Sequence, residues 1–389
     1  MSNKRRLRAT CMALVAVLAL QGLAEKAAAD SKLPKHTGFD LSLKDGQVKH
    51  GPRADGHGPI GVMGEHRHHK GELMLSFRYM RMWMEGNLIG EDNVSPETIA
   101  TTVPNRFFGR PGQPRTLRVV PTEMSMDMYM FGGMYGITDR VTLMGMVPYI
   151  EKEMDHVTFR GPVGTVRRGV FTTESEGIGD VSTAAIVGLL DRERPDGNAH
   201  VNLILGLSAP TGSVRERDDV LTPTGARPTQ RLPYAMQIGS GTWDFLPGIV
   251  YTDRRGDISW GAQYRGTIRI GDNDESYAFG DVHLGTAWMQ YQWQPWVSTS
   301  VRVAGRTQDD ISGIDLAIVA PVQTADPDNY GGERVDLLFG VNLVGQRGAT
   351  CGHRLAAEFG VPIYQDLNGP QMETDWVLTI GWQKALGDC

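Results

Sequence analysis

The stretch from Gln371 to Gln383 alternates between two kinds of side chain. Glu373, Asp375 and Thr379 fall on one parity, and the other parity is apolar. The apolar positions are Trp376, Leu378, Ile380 and Trp382. Because successive side chains of a strand point to opposite faces, the stretch predicts a strand with one polar and one apolar face. An apolar face with a Trp near each end is typical of a membrane-spanning strand.

Segments of this kind recur through the chain. We predict twelve strands, over residues 71–84, 122–137, 140–151, 176–190, 199–210, 241–252, 257–270, 279–293, 295–308, 333–345, 352–364 and 371–383. Connections after even-numbered strands are short, and most of those after odd-numbered strands are long, as in outer-membrane barrels. The prediction is an all-β, 12-stranded antiparallel transmembrane β-barrel over residues 71–384, followed by a tail at 385–389. A secreted β-sandwich or propeller is the alternative.

Residues 1–29 have the features of a cleaved signal peptide. A basic start precedes the apolar run Met12 to Leu23, and small residues end at Ala29. The remaining chain has 34 basic and 44 acidic residues, a net charge of −10, so nucleic acid is a poor partner. No later segment approaches 18 consecutive apolar residues. Export followed by barrel insertion predicts the bacterial outer membrane as the location, with its lipid as a partner.

Two cysteines, Cys351 and Cys389, follow the signal peptide. Export places them in an oxidising compartment, where they could pair. The alternative is two unpaired thiols near the periplasmic end of the barrel.

Residues 30–70 are polar and rich in His, and predict a mobile periplasmic arm with a polar surface. His66, His68 and His69 lie within GVMGEHRHHKGE. Several His residues in a short tract can bind a metal ion. The alternative is a solvated segment that titrates near neutral pH.

Methionines recur at every second position of the first strands. They are Met80, Met82 and Met84, then Met124, Met126, Met128 and Met130, then Met144 and Met146. Thioethers are soft ligands suited to Cu(I), although methionine also serves as a flexible apolar filler. The first row shares a face with Arg78 and is expected to line the lumen. In the second strand Asp127 opposes the Met row, which predicts that those Met residues face lipid unless a bulge shifts the register.

A set of charged residues falls on the parity opposite the apolar face. These predicted lumen-lining residues are Arg78, Asp244, Arg265, Arg269, Asp281, His283, Arg302, Arg306, Arg334, Asp336, Glu358 and Asp375. A charge facing lipid costs about 2–4 kcal/mol near the midplane, so these side chains are expected inside. They could form a narrow charged path or a plug of ion pairs.

No combination of nucleophile and base indicates catalysis, and no catalytic residue is predicted. The pattern G-x-S-x-G is absent, and the pair Asp155-His156 lies in a predicted loop.

Several segments resemble a family of bacterial outer-membrane proteins. GVMGEHRHHKGELMLSFRYMRM, TTESEGIGDVS, LGLSAPTGS, QRLPYAMQIGSGTWDFLPGIVYT and GVPIYQDLNGPQMETDWVLTIGWQ are similar to the "MetA-pathway of phenol degradation" transporter-like family, in a Met-rich subgroup. The resemblance covers roughly residues 60–384. It implies an outer-membrane barrel that passes small hydrophobic or aromatic compounds, without catalytic residues.

The expected function is therefore a non-enzymatic outer-membrane channel that passes or binds small solutes. Loops at 85–121, 211–240 and 309–332 would gate or select. The alternative is a barrel that handles copper, with His66, His68 and His69 capturing the ion and Met80, Met82 and Met84 relaying it. An outer-membrane enzyme is the least favoured reading.

Overall fold

The computed structural model describes residues 52–386 and, for the backbone alone, β1 (Leu43–Lys44) and β2 (Gln47–Val48), which form a short hairpin. The predicted signal peptide, most of residues 30–51 and Cys389 lie outside the described residues. Cys351 is disulfide-bonded. Its pairing with Cys389 stays a prediction.

Within residues 52–386, eleven strands form one closed ring in which every pairing is antiparallel. They are β3 (Leu73–Gly90), β5 (Val119–Thr138), β6 (Val141–Phe159), β8 (Val181–Arg194), β9 (Gly197–Ala209), β12 (Trp243–Arg255), β13 (Ile258–Ile270), β15 (Val282–Gln294), β16 (Val297–Gln308), β18 (Gly332–Val344) and β19 (His353–Leu386). Two further strands extend the sheet outside this ring, β4 (Asp92–Asn93) on β3 and β7 (Arg167–Ile178) on β6. The predicted all-β antiparallel closed barrel is confirmed.

The last strand closes the ring and differs from the prediction. The sequence predicts two strands over 352–364 and 371–383, whereas β19 is continuous over 34 residues. Its first part, to Leu367, pairs with β18, and the part from Leu367 to Leu386 pairs with β3. The chain reverses near Gly369, whose φ of +65° is a left-handed conformation that favours glycine.

The two ends of the barrel differ in their connections. At the end called here the turn end, residues 139–140, 195–196, 256–257 and 295–296 join neighbouring strands. At the opposite, loop end the connections are long and contain the small elements β10 (Arg217–Asp219), β11 (Thr229–Arg231), β14 (Tyr277–Ala278), β17 (Ser312–Gly313) and the 3-10 turns Tyr234–Met236 and Gln323–Ala325. A third 3-10 turn, Gly348–Thr350, lies at the turn end.

The loop end also carries the one α-helix of the described residues, α1 (Pro96–Thr102). Ser95 caps it by accepting a hydrogen bond from the Thr98 N–H, and Pro96 suits the first turn, where its missing N–H has no partner to lose. The helix buries Ile99 and Ala100 in an apolar cluster with parts of β5 and β6. Over residues 52–386, no helix has both the length and the apolar character to cross a membrane.

The outer face of the ring is apolar and banded by tryptophan. Trp83 and Trp376 stack with ring centroids 6.3 Å apart near the loop end. Trp243 lies at the same end, and Trp293, Trp296 and Trp382 lie toward the turn end. Between these bands many large apolar side chains are exposed, including Leu205, Ile249, Val341 and Phe359. A soluble protein would bury such residues, and this arrangement matches the lipid-facing band of an outer-membrane barrel.

The replacement Ile249→Arg tests this band. Ile249 is 45% exposed and lies at the middle of β12. We expect the free energy of unfolding to fall by about 2–4 kcal/mol, because the charge would face hydrocarbon. The measurement is urea-dependent folding into lipid vesicles, with Ile249→Leu as the matched control. Equal stability of the two variants would contradict a lipid-facing position.

Candidate functional site: a lumen closed at both ends

The segment before the first barrel strand lies inside the ring. Residues 52–72, called here the plug segment, bond to strands around the barrel. The Ala54 N–H donates to the Pro295 carbonyl (2.9 Å), Gln290 Nε2 to the His57 carbonyl (2.8 Å) and Gln263 Nε2 to the Met63 carbonyl (2.8 Å). The part of the expected mobile arm that the structure describes is instead held against the wall at the turn end.

A buried ion pair meets the tip of the plug segment. Arg302 on β16 and Glu358 on β19 pair inside the lumen, with side chains only 8% and 1% exposed. A Cβ added to Gly61 would approach the Arg302 guanidinium and lie 2.7 Å from Glu358 Oε1. A larger residue at position 61 would therefore have to displace the ion pair, because the backbone lies directly against it.

Apolar packing anchors the rest of the plug segment. Val62 lies in a buried cluster with β-strand side chains. The cluster also contains Met74, Met134, Met144, Ala184, Ile186, Ile204, Val250 and Trp288. Hydrogen bonds and an apolar cluster thus hold this short segment inside the turn end of the lumen, with Gly61 against the Arg302–Glu358 pair.

A cluster of histidines lies within the plug segment. His57 Nδ1 is 3.3 Å from His66 Nδ1, and His66 Nδ1 is 2.9 Å from Glu65 Oε1. His66 Nε2 lies 3.3 Å from His68 Nε2. The cluster borders a polar cavity of about 390 Å³ at the turn end. His69, by contrast, is 81% exposed and lies beside Asp139, so the structure separates it from the other two predicted ligands.

Burial sets the protonation of this cluster. Desolvation and the neighbouring His66 lower the pKa of His57 to about 3, and the same two causes lower the pKa of His68 to about 4. Burial alone would raise the pKa of Glu65. The charge of His66 and hydrogen bonds from His57 and His66 outweigh burial and hold that pKa well below its usual range. At neutral pH the imidazoles of His57 and His68 are therefore neutral and lie close to the ionised carboxylate of Glu65.

The long loops close the other end of the lumen. Their apolar side chains form one buried cluster. It contains Phe107, Val119, Phe171, Leu221, Tyr234, Tyr277, Ile311, Ile318, Val322 and Ala325, with members from all three predicted gating segments (85–121, 211–240 and 309–332). Lys152 on β6 holds the 211–240 loop from the lumen side. Its Nζ donates hydrogen bonds to the carbonyls of Ala235 (2.8 Å) and Gln237 (2.6 Å).

The methionine rows all face the lumen. Met84 pairs with Met124, Met82 with Met126 and Met80 with Met128 across β3 and β5, so both rows share one face. That face includes the buried Met74 and Met134, while Phe131 on the opposite parity is 57% exposed. Met144 and Met146 follow on the same face of β6. The lipid-facing prediction for the second row is wrong.

The prediction assumed that Asp127 points into the lumen, whereas this acidic residue lies on the outer face. Arg81 lies 3.6 Å from it, and the Tyr79 hydroxyl donates to it. These partners compensate the carboxylate near the loop end of the barrel.

The predicted lumen-lining charges divide into two groups. Three ion pairs lie on the inner face, namely Arg302–Glu358, Arg269–Asp244 and Arg334–Asp336. Arg78 (7% exposed), Arg265 and Arg306 share the inward parity of buried neighbours on their strands.

The remaining predicted lumen residues lie elsewhere. His283 is exposed and bonds the hydroxyl of Tyr264, which is 40% exposed on the outer face (2.8 Å). Its partner across the strands is Gly266, on the same parity as Tyr264, so His283 points outward rather than into the lumen. Asp281 precedes β15 and accepts from the Arg269 N–H (2.9 Å). Asp375 is exposed at a β-bulge between Thr374 and Trp376.

Sequence reasoning missed Asp180, which ties three of the quoted motifs together. Asp180 ends EGIGD, and its carboxylate accepts from the Gly212 N–H (2.9 Å) and from the Ser240 N–H (2.7 Å). Gly212 ends SAPTG and Ser240 lies in GSGTWD. Asp180 thus holds both ends of the 210–242 loop. His57 and Glu65 were also missed as partners of His66, because only the folded plug segment brings His57 to the Glu65-His66 pair.

Comparison with known proteins identifies the fold. No protein-family model matches the chain, and no curated protein sequence matches it. The crystal structure of the COG4313 outer membrane channel from Pseudomonas putida F1 is similar, with a TM-score of 0.53 and 14% identity over 84% of this chain and 99% of that one.

Two other solved structures superpose less closely. They are a Pseudomonas aeruginosa FadL homologue and the P. putida toluene transporter TodX. Both have a TM-score of 0.36, with 9% and 7% identity, over 81% of this chain and 90% of theirs. The described chain is a closed antiparallel β-barrel with the fold of an outer-membrane channel.

Proposed function

We propose that this protein is an outer-membrane channel for small hydrophobic solutes, of the size of a single aromatic ring, that move along the methionine rows. The observation that carries the proposal is the continuous run of Met side chains on one lumen wall. Methionine is flexible and adaptable, and occurs at surfaces that bind varied apolar ligands. The resemblance noted in the sequence and the fold shared with a known channel support the same function.

The methionine rows link the two closures of the lumen. Near the loop end, Met124 and Met154 pack with Leu232 and Met236 of the second loop. At the turn end, Met74, Met134 and Met144 pack against Val62 of the plug segment. Met80, Met82, Met126, Met128 and Met130 lie between these clusters and are partly exposed within the barrel. A solute that displaces either closure would meet thioether surface along its path.

The loop end offers an apolar place of entry. A small cavity of about 50 Å³ lies between the loops, bordered by Phe171, Leu221, Pro233 and Val322. Most of its surface is apolar, so transfer of an uncharged hydrocarbon from water into this cavity would be favourable. Enlarging this cavity requires movement of the 210–242 and 309–331 loops.

We further propose that the barrel crosses the membrane twelve times. The two halves of β19 pair with different neighbours and run in opposite directions, so this one strand would supply two crossings. An even number of crossings places the start of the first strand and the end of the last strand on the same side of the membrane, as in bacterial outer-membrane proteins. The turn end and the plug segment would then face the periplasm. The role is channel-like rather than enzymatic.

Uptake of toluene tests the proposed function. Lipopolysaccharide slows entry of hydrocarbons into Gram-negative cells, so expression of the protein in such a host should raise uptake of radiolabelled toluene at low external concentration. Met128→Arg would place a charge on the apolar path and should return uptake to that of cells without the protein. Met128→Leu, which keeps the wall apolar, should retain uptake. Equal uptake by both variants, or no gain on expression, would refute the proposal.

Copper conduction is the second candidate. The cross-strand pairs Met80–Met128, Met82–Met126 and Met84–Met124 favour it, because paired thioethers can bind Cu(I). Replacing Met80, Met82 and Met84 by Leu together should abolish Cu(I) flux into proteoliposomes if this candidate is right. The same replacement should leave toluene uptake intact if the rows serve only as apolar surface.

A further inference from the structure

The plug segment contains three potential metal ligands at the separations of a coordination site. His57, Glu65 and His66 each offer one donor atom, and these atoms all lie within 4.8 Å of one another. We propose that His57, Glu65 and His66 form a binding site for a divalent transition-metal ion, Zn²⁺ or one of similar preference, that clamps the plug segment. The site is independent of the solute that the channel carries.

The three separations fit tetrahedral geometry. Ligands about 2.0–2.1 Å from a tetrahedral Zn²⁺ lie about 3.3–3.4 Å apart. The observed edges are 3.3 Å for His57 Nδ1 to His66 Nδ1, 2.9 Å for His66 Nδ1 to Glu65 Oε1 and 3.7 Å for His57 Nδ1 to Glu65 Oε1. Shifts of a few tenths of an ångström would equalise them.

Hydrogen bonding alone leaves these atoms poorly satisfied. His66 Nδ1 contacts both Glu65 and His57, yet a single N–H can serve as donor to only one of them at full strength. Glu65 Oε2 is also buried without a hydrogen-bond partner among the described residues. Unsatisfied buried carboxylate oxygens are costly. A cation at this point would compensate all three groups at once.

The surroundings of His66 are those of a metal ligand. Its Nε2 faces His68 Nε2 at 3.3 Å, and His68 Nδ1 faces Glu72 at 3.6 Å. Ligating imidazoles usually donate their second N–H to such a partner, which sets the tautomer and the ring orientation. His68 would therefore position His66 rather than bind the same ion.

The donor set indicates the class of metal. Two imidazole nitrogens and one carboxylate suit Zn²⁺, Co²⁺ or Ni²⁺, whereas Mg²⁺ and Ca²⁺ prefer oxygen donors and Cu(I) prefers thiolate or thioether. The neighbouring cavity of about 390 Å³ leaves room for water as a fourth ligand. This site therefore differs in both ligands and metal class from a copper path along the Met rows.

The position of the site gives the ion a structural effect. His57 precedes, and Glu65 and His66 follow, the tip at Gly61 that rests on the Arg302–Glu358 pair. A bound ion would join the two arms of this loop and resist its withdrawal from the lumen. Metal binding would thus stabilise the closed turn end.

Zinc titration of the purified full chain tests the site. After removal of metal with EDTA, calorimetry with ZnCl₂ should show one site, and CoCl₂ should give the intense visible absorption of tetrahedral Co²⁺. His57→Gln and Glu65→Gln should each abolish both signals. His68→Gln should weaken binding by about 10–100-fold, as expected for loss of a partner that orients a ligand.

Matched controls separate this site from other histidines. His69→Gln changes an exposed ring outside the cluster, and the double variant His36→Gln/His50→Gln changes residues beyond the described part of the chain. Both should bind zinc as the unmodified protein does. Heat-dependent mobility on SDS gels verifies that each variant is folded. Should Glu65→Gln not fold, His57→Gln, whose ring is partly exposed, supplies the same test.

Two results would overturn the proposal. One is unchanged zinc affinity in folded His57→Gln or Glu65→Gln protein. The other is loss of binding only in the His36/His50 variant, which would locate the metal elsewhere in the chain.

Discussion

Replacing Glu358 by Met is expected to lower the free energy of unfolding by about 3–5 kcal/mol, because the substitution leaves the buried Arg302 guanidinium without its counter-charge. The two side chains are 1% and 8% exposed, so water cannot replace the lost partner. Arg302 would keep one further hydrogen bond, from its Nη1 to Thr286 Oγ1 at 3.4 Å, and the nearby charge of Asp336, which is already paired with Arg334. That weak bond to a neutral hydroxyl does not compensate a charge.

Urea-dependent folding into lipid vesicles measures this effect. The double variant Arg302→Met/Glu358→Met should recover most of the loss, since replacing both partners of a buried pair by apolar residues is often neutral. The matched control is Asp127→Ser, which breaks the more exposed Arg81–Asp127 pair and should cost less than about 1 kcal/mol. A loss below 1 kcal/mol for Glu358→Met, or a double variant as unstable as the single one, would contradict the buried pair.

Replacing Gly61 by Leu is expected to open the turn end of the channel. The new side chain would collide with the Arg302–Glu358 pair, and its Cβ alone would lie 2.7 Å from Glu358 Oε1. Overpacking of this kind costs about 1–3 kcal/mol. Because the plug segment can relieve the clash by withdrawing, its open fraction should rise by about 5–150-fold, the population shift that corresponds to such an energy.

Single-channel recording in planar bilayers measures the open fraction. Gly145→Leu is the matched control, since Gly145 is exposed on the outer face and no atom lies within 4 Å of an added Cβ. It should conduct as the unmodified protein does. Closed Gly61→Leu channels with normal stability would show that the plug segment does not depend on contact at Gly61.

Much of the barrel follows from the sequence because each strand carries its own two-residue period. The alternation in Gln371–Gln383 places Trp376 and Trp382 outside and Thr379 inside, and the structure agrees. The same period places Arg302, Asp336 and Glu358 in the lumen without knowledge of their partners. Long loops and short turns likewise alternate in the sequence and separate the two ends of the barrel in space.

Assigning strand faces from the positions of charged residues fails where a charged residue lies on the outer face beside a partner. Asp127 suggested that the Met row of β5 faced lipid, but cross-strand register with Met80, Met82 and Met84 turns that row inward. Arg81 and Tyr79 make the exception possible, and both lie on another strand. His283 is a second exception of the same kind, since this polar residue lies on the outer face and bonds the Tyr264 hydroxyl.

The sequence by itself determined the closed antiparallel barrel, its apolar outer band and most of its inner charges, because these depend on local period and on the cost of exposing backbone or charge to lipid. The tertiary structure alone decided that the plug segment enters the lumen, that Gly61 rests on Arg302 and Glu358, and that His57 meets Glu65 and His66. These contacts join residues far apart in the chain, or bring residues together through an irregular loop. Neither kind of contact produces a repeating pattern in the sequence. Only packing inside the closed ring determines which residues make these contacts.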